Sequence, residues 1–190
     1  MSIKIITAFT ILFLISWLKG YSQDVDAMSP QELNRTAIDY WDGKNGKTKD
    51  VLKALELFKL SAKNGDPTAF ANIAYMYACG DLGQKDNMKA LEWYIKGADE
   101  LYGDFTNMKE LAEIYQFGKL GTPINLNNAL LYYKRILNIP RIKNTYRDSI
   151  GNGLVRTYTL KDGEVAPPNA KSVYADIQKK IAEIEKTVKK

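Results

Sequence analysis

The chain has no histidine and a single cysteine, Cys79, in 190 residues. Without histidine there is no imidazole base for a Ser-His-Asp or Cys-His dyad, no proton shuttle of that kind and no His-ligated zinc. One cysteine allows neither an internal disulfide nor a thiolate cluster, so the fold rests on apolar packing. A phosphate-cradling loop is also missing. The glycines stand singly in turn positions, and Gly43-Lys44-Asn45-Gly46-Lys47 lacks the preceding strand and the spacing of a P-loop. Clustered acids around a glycine, as a calcium loop requires, are absent too; Asp99-Glu100 to Asp104 lacks the alternation. The sequence thus points to no catalytic residues, no cofactor and no metal.

The only long apolar run lies at the N-terminus. Lys4 precedes Ile5–Leu18, in which only Thr7, Thr10 and Ser16 carry polar side chains, and small residues follow at Gly20 and Ser22. This order of charge, apolar stretch and small residues is that of a secretory signal peptide over residues 1–22. The run is short of the roughly 20 apolar residues that span a bilayer. An uncleaved anchor is the alternative. Export places the mature chain in the periplasm or outside the cell. Without residues 1–22 the chain keeps 25 basic and 22 acidic side chains, a net +3. So small a surplus does not mark a nucleic-acid or membrane-surface protein.

What the remainder has is a repeat. The segment from Ala69 to Ala98 contains Ile73-Ala74, Tyr77, Gly80, Asp86, Lys89-Ala90, Trp93-Tyr94 and Gly97-Ala98. Leu111-Ala112, Tyr115, Gly118, Asn125, Asn128-Ala129 and Tyr132-Tyr133 repeat it downstream, and Ala37, Tyr40, Gly43, Asp50, Lys53-Ala54 and Leu57-Phe58 upstream. A fainter copy holds Leu154-Val155, Tyr158, Ala170 and Val173-Tyr174. The marker alanines Ala54, Ala90, Ala129 and Ala170 stand 36, 39 and 41 residues apart. Recurrence at this period signals stacked supersecondary units.

Each copy reads as two helices. Ile73, Ala74 and Tyr77 make one stripe of a 3.6-residue period, and Ala90, Trp93, Tyr94, Gly97 and Ala98 make a wide apolar face. Gly80 stands where a helix C-terminus needs positive φ, and Asp86 is suited to cap the next helix. Ser29-Pro30-Gln31-Glu32 combines an N-cap, a first-turn proline and a capping-box glutamate. Asp66-Pro67 repeats the cap and proline, and Asp104 and Thr145 are expected to cap two later helices. The expectation is an all-α chain of antiparallel helix pairs: residues 1–22 a signal peptide, residues 23–190 about four repeats at 29–65, 66–103, 104–140 and 141–190.

The string A-x3-I-A-x2-Y-x2-G…D-x2-K-A-x2-W-Y-x2-G-A over residues 69–98 resembles a Sel-one-like repeat, a relative of the tetratricopeptide repeat. The resemblance extends to 111–136, in part to 37–62 and weakly to 154–178, where Lys161 replaces the turn glycine and Val173 the aromatic residue. It implies a right-handed superhelical solenoid and a role as adaptor or scaffold. Cysteine-rich members, a few of them linked to β-lactam binding, have disulfides that this chain does not.

A solenoid presents a concave face. On each first helix the residues opposite the apolar stripe would line it: Trp41 and Asp42 in the first copy, Tyr75 in the second, Lys109, Glu113, Gln116 and Phe117 in the third, Arg156 in the fourth. Trp41, Tyr75 and Phe117 would form an aromatic stripe with Arg156 at one end. Aromatic residues and arginine are enriched at binding hot spots, so this groove is expected to hold a segment of another protein. Packing of the same aromatics against the next copy is the alternative. Cys79, on the same face, reads as a small hydrophobe rather than a reactive thiol. Function is then expected to be protein binding, as adaptor or scaffold in the cell envelope. Neutralisation of one specific protein, as immunity-type repeat proteins do, is the second reading, and a cell-wall or β-lactam-related hydrolase the third.

Overall fold

Each of the first three marker alanines lies four residues beyond a helix cap. In the computed structural model Asp50, Asp86 and Asn125 accept from the backbone N–H of Lys53, Lys89 and Asn128 at 2.9, 2.9 and 3.0 Å. The cap backbones are held as well. The N–H of Asp50, Asp86 and Asn125 donates to the carbonyl of Tyr40, Tyr77 and Tyr115 respectively, at 2.8–2.9 Å. The repeated tyrosine and the repeated cap therefore join the end of one helix to the start of the next. The structure describes residues 25, 27–100, 105–139, 142–151, 154–161 and 171–189, with side chains left aside for 146–159. The expected signal segment, 1–22, and the expected cap Asp104 lie outside the described residues. No helix among the described residues is long and apolar enough to cross a membrane.

The chain forms two compact units, Met1–Ala69 and Phe70–Lys190. The first holds α1 (Pro30–Asp42) and α2 (Val51–Lys63). Ser29 and Glu32 form the capping box: the Ser29 N–H donates to Glu32 Oε2 at 2.8 Å and the Glu32 N–H to Ser29 Oγ at 3.3 Å. At the other end Gly43 takes φ 69°, a conformation glycine adopts without strain. Besides the Tyr40–Asp50 bond, Ser61 Oγ donates to Pro30 O at 2.7 Å, so the start of α1 meets the end of α2. The pair is antiparallel. Leu33, Ala37, Ala54, Leu57, Phe58 and Ala62 are buried.

Helix α3 (Pro67–Cys79) leads into the second unit, with Asp66 Oδ1 accepting from the Thr68 N–H at 3.0 Å as its cap. It continues with α4 (Asn87–Asp99), α5 (Phe105–Phe117) and α6 (Leu126–Leu137). Gly80 has φ 84° and Gly118 φ 67°, the turn conformations their positions require. The small residues act as spacers: Ala74, Ala90, Ala98, Ala112 and Ala129 are fully buried. Gly97 is the extreme case. A Cβ there would lie 2.5–2.7 Å from the Asn107 side chain, so α4 and α5 approach at a point only glycine fits. Trp93 and Tyr77 are half-buried; Trp93 meets Phe70 with ring centroids 5.9 Å apart.

The fourth copy departs from the expectation. Leu154, Val155, Arg156 and Tyr158 do not lie on a helix, and Thr145 caps none. They belong to a three-stranded antiparallel sheet of order β2-β1-β3, with β1 Thr145–Gly151, β2 Leu154–Thr159 and β3 Lys171–Ser172. Tyr146 pairs with Tyr158, and Arg147 with Thr157. The chain is thus not purely α-helical. The reason is local: the segment alternates β-branched and aromatic residues around Gly151-Asn152-Gly153, a hairpin signal rather than a 3.6-residue pattern. One helix completes the copy. Helix α7 (Val173–Val188) is capped by Ser172 and buries Val173, Ile177, Ile181 and Ile184 in the core that also holds Leu111, Tyr133, Ile136 and Ile142.

Candidate functional site

On α5, Lys109, Glu113 and Gln116 stand on successive turns, on the side of the helix opposite buried Leu111. Glu113 collects three ammonium groups. Lys109 Nζ lies at 2.8 Å and Lys180 Nζ at 3.2 Å from Oε1, and Lys119 Nζ at 2.9 Å from Oε2. The side chain of Glu113 is 15% exposed. Burial opposes its ionisation, but hydrogen bonds from Lys109 and Lys119, and the charges of Lys109 and Lys180, outweigh it and hold the carboxyl at about 2. Glu113 therefore stays charged throughout the neutral range.

Tyr133 ties this cluster to α6. Its ring is fully buried, its hydroxyl donates to Gln116 Oε1 at 2.9 Å, and it accepts from Lys180 Nζ at 3.2 Å. Burial, then the nearby Glu113 charge, push the phenol up to about 12. Tyr94 holds the corresponding position four residues after the marker alanine on α4. Its pKa is likewise raised, first by burial and then by the charge of Glu110 and the proximity of Cys79 and Tyr75. The second aromatic of each second helix in this unit thus carries a hydroxyl toward the first-helix face. Phe58, its counterpart in the first unit, has none.

The expected groove residues separate into kinds. Lys109, Glu113 and Gln116 share one network. Tyr75 and Phe117 stand exposed, at 53% and 58%. The Tyr75 hydroxyl is hydrogen-bonded to the Cys79 thiol, which raises its pKa. Within the first unit Trp41 is half-buried with its ring edge-on to Phe58, centroids 5.9 Å apart, and Asp42 pairs with Lys44 at 2.6 Å. Arg156, expected on a helix beside the others, is in β2 opposite Asp148, and its side chain is not among those described.

The repeat spacing, the caps and the paired helices agree with a comparison against known families. A model described as the Sel1 repeat matches residues 33–66, 69–100 and 108–136. The chain belongs to the Sel1 repeat family. Similar solved structures include the following two. A Sel1 repeat protein from Oxalobacter formigenes is 33% identical over 55% of this chain and 42% of its own, with a TM-score of 0.48. A protective antigen of uropathogenic Escherichia coli strains, displaying an SLR fold, is 27% identical over 67% of this chain and 26% of its own, with a TM-score of 0.51. The chain therefore spans less than half the length of either. No curated protein matches it. The paired helices among the described residues fit Sel1-type helical repeats, a family that generally mediates protein–protein interaction and is generally non-catalytic.

The Sel1 pattern accounts for what the sequence shows of this site and what it hides. Tyr94 and Tyr133 could have been singled out, since both follow the marker alanine by four residues. Lys119 stands in a turn, and Lys180 reaches Glu113 across 67 positions. No repeat position announces either.

Proposed function

We propose that the chain is an exported, non-catalytic adaptor or scaffold of the cell envelope, which holds a segment of a partner protein on the first-helix face of its second unit. The observation that carries the reading is the exposure of Tyr75 and Phe117 on α3 and α5, on the helix sides away from the buried Ile73–Ala74 and Leu111–Ala112 stripes. Aromatic side chains are enriched among those that anchor partners. Membership of the Sel1 family supports protein binding. The apolar run at Ile5–Leu18 with small residues after it supports export, to the periplasm or outside the cell.

The test is capture of partners from the envelope fraction by the tagged full chain, with identification by mass spectrometry. The double variant Tyr75→Ala/Phe117→Ala should lose the partner and keep its circular dichroism spectrum. A partner retained in full by that variant would rule out this face. One protein recovered in equal amount to the chain would make it a stoichiometric inhibitor; several recovered in smaller amounts would make it a scaffold. Cell fractionation tests export, and recovery in the cytosol alone would overturn it.

A further inference from the structure

The face of the second unit carries a charge pattern that specifies the chemistry of what docks there. Lys109, Lys119 and Lys180 converge on Glu113 from α5, from the turn after it and from α7. Glu110 lies 3.6 Å from Lys109, so three ammonium groups face two carboxylates and one positive charge is left over. The ammoniums also hold more N–H donors than one carboxylate and the Tyr133 hydroxyl accept. Their side chains are 25, 44 and 34% exposed, within reach of a ligand, whereas that of Glu113 is only 15% exposed. The three like charges repel one another, and a second anion above them would relieve that repulsion. Phe117, four residues on from Glu113 along α5 and open to solvent, adds an apolar contact beside the charge.

We propose that this cluster docks an acidic segment of a partner protein, a Glu or Asp carboxylate seated on Lys109, Lys119 and Lys180 with a neighbouring apolar side chain against Phe117. The proposal rests on the protein-binding reading above and narrows it. Lysines act here as point charges on separate stems, not as a preformed fork, which suits a carboxylate on a flexible peptide.

A fluorescein-labelled peptide of alternating Glu and Leu, compared with its Gln-for-Glu counterpart, tests it by anisotropy titration of the full chain. The acidic peptide should bind about tenfold more tightly, with the gap narrowing as salt is added. The double variant Lys119→Gln/Lys180→Gln should erase the gap with an unchanged circular dichroism spectrum. Should that variant unfold, Lys119→Gln alone should narrow the gap and Lys119→Arg should preserve it. Equal binding of the two peptides, or a gap that survives in folded Lys119→Gln/Lys180→Gln, overturns the proposal. Displacement of the acidic peptide by inorganic phosphate as readily as by unlabelled peptide also overturns it, since the cluster would then be a general anion site. Equal binding weakened by Phe117→Ala sinks only the acidic preference and leaves the adaptor reading in place. No binding of either peptide and no captured partner would sink both.

Discussion

Lys180 of α7 donates to Glu113 of α5 at 3.2 Å and also to the hydroxyl of Tyr133 on α6. A single ammonium thereby joins three helices, and the last helix closes the polar face of the third repeat as well as its apolar core. Where a further repeat would stack, this chain places a hairpin and one helix. On the side of α7 away from that core, Lys179, Glu183 and Lys186 are exposed.

Glu113 should make stability depend on acid. Its carboxyl is held at about 2 in the folded chain against an ordinary 4.5, so the unfolded chain binds the proton more readily. Its stabilisation is fully present above pH 4.5 and is lost as pH falls toward 2. Thermal melting followed by circular dichroism should show the midpoint falling through that window, and Glu113→Gln should flatten part of the fall. An identical pH profile in the variant would place the acid sensitivity elsewhere.

Tyr133 separates packing from hydrogen bonding. Truncation to Ala should cost about 3–5 kcal/mol, because a fully buried ring leaves a cavity. Tyr133→Phe keeps the ring and should cost only about 1 kcal/mol, for the Gln116 and Lys180 partners it abandons. Denaturant unfolding of the two variants measures both. Equal losses would show that the hydroxyl, not the ring, carries the contribution.

Gly97 should refuse a methyl group. With Asn107 side-chain atoms 2.5–2.7 Å from the added Cβ, Gly97→Ala should destabilise by about 1–3 kcal/mol despite the better helix propensity of alanine. Combining it with Asn107→Gly removes the clashing atoms, and the two changes should prove non-additive in a double-mutant cycle. Simple additivity would mean that the cost of Gly97→Ala does not come from the Asn107 side chain.

In the first unit the Ser29–Glu32 box should be worth about 1 kcal/mol, read as a lowered unfolding midpoint in Ser29→Ala. Ser29→Asp, which retains an acceptor at the cap, should recover most of it. An unchanged midpoint in Ser29→Ala would show that the end of α1 frays without consequence.

Much of the architecture was legible because its signals are local. A cap lies three residues from the N–H it accepts, a turn glycine is called for by its own φ, and an apolar stripe repeats every turn; hence the three helix pairs from Pro30 to Leu137 stand where the spacing puts them. The hairpin at 145–159 was misread as a helix, because the weak echo of the repeat outweighed the Gly-Asn-Gly turn signal between β-branched residues. The polar cluster was half legible. Helical angles alone bring Lys109, Glu113 and Gln116 to one face of α5. That the face is joined by Lys119, Tyr133 and Lys180, and that Trp41 turns its edge to Phe58, follows from packing between elements distant along the chain. Burial and charge pairing there depend on which surfaces meet, and short-range periodicity has no knowledge of that.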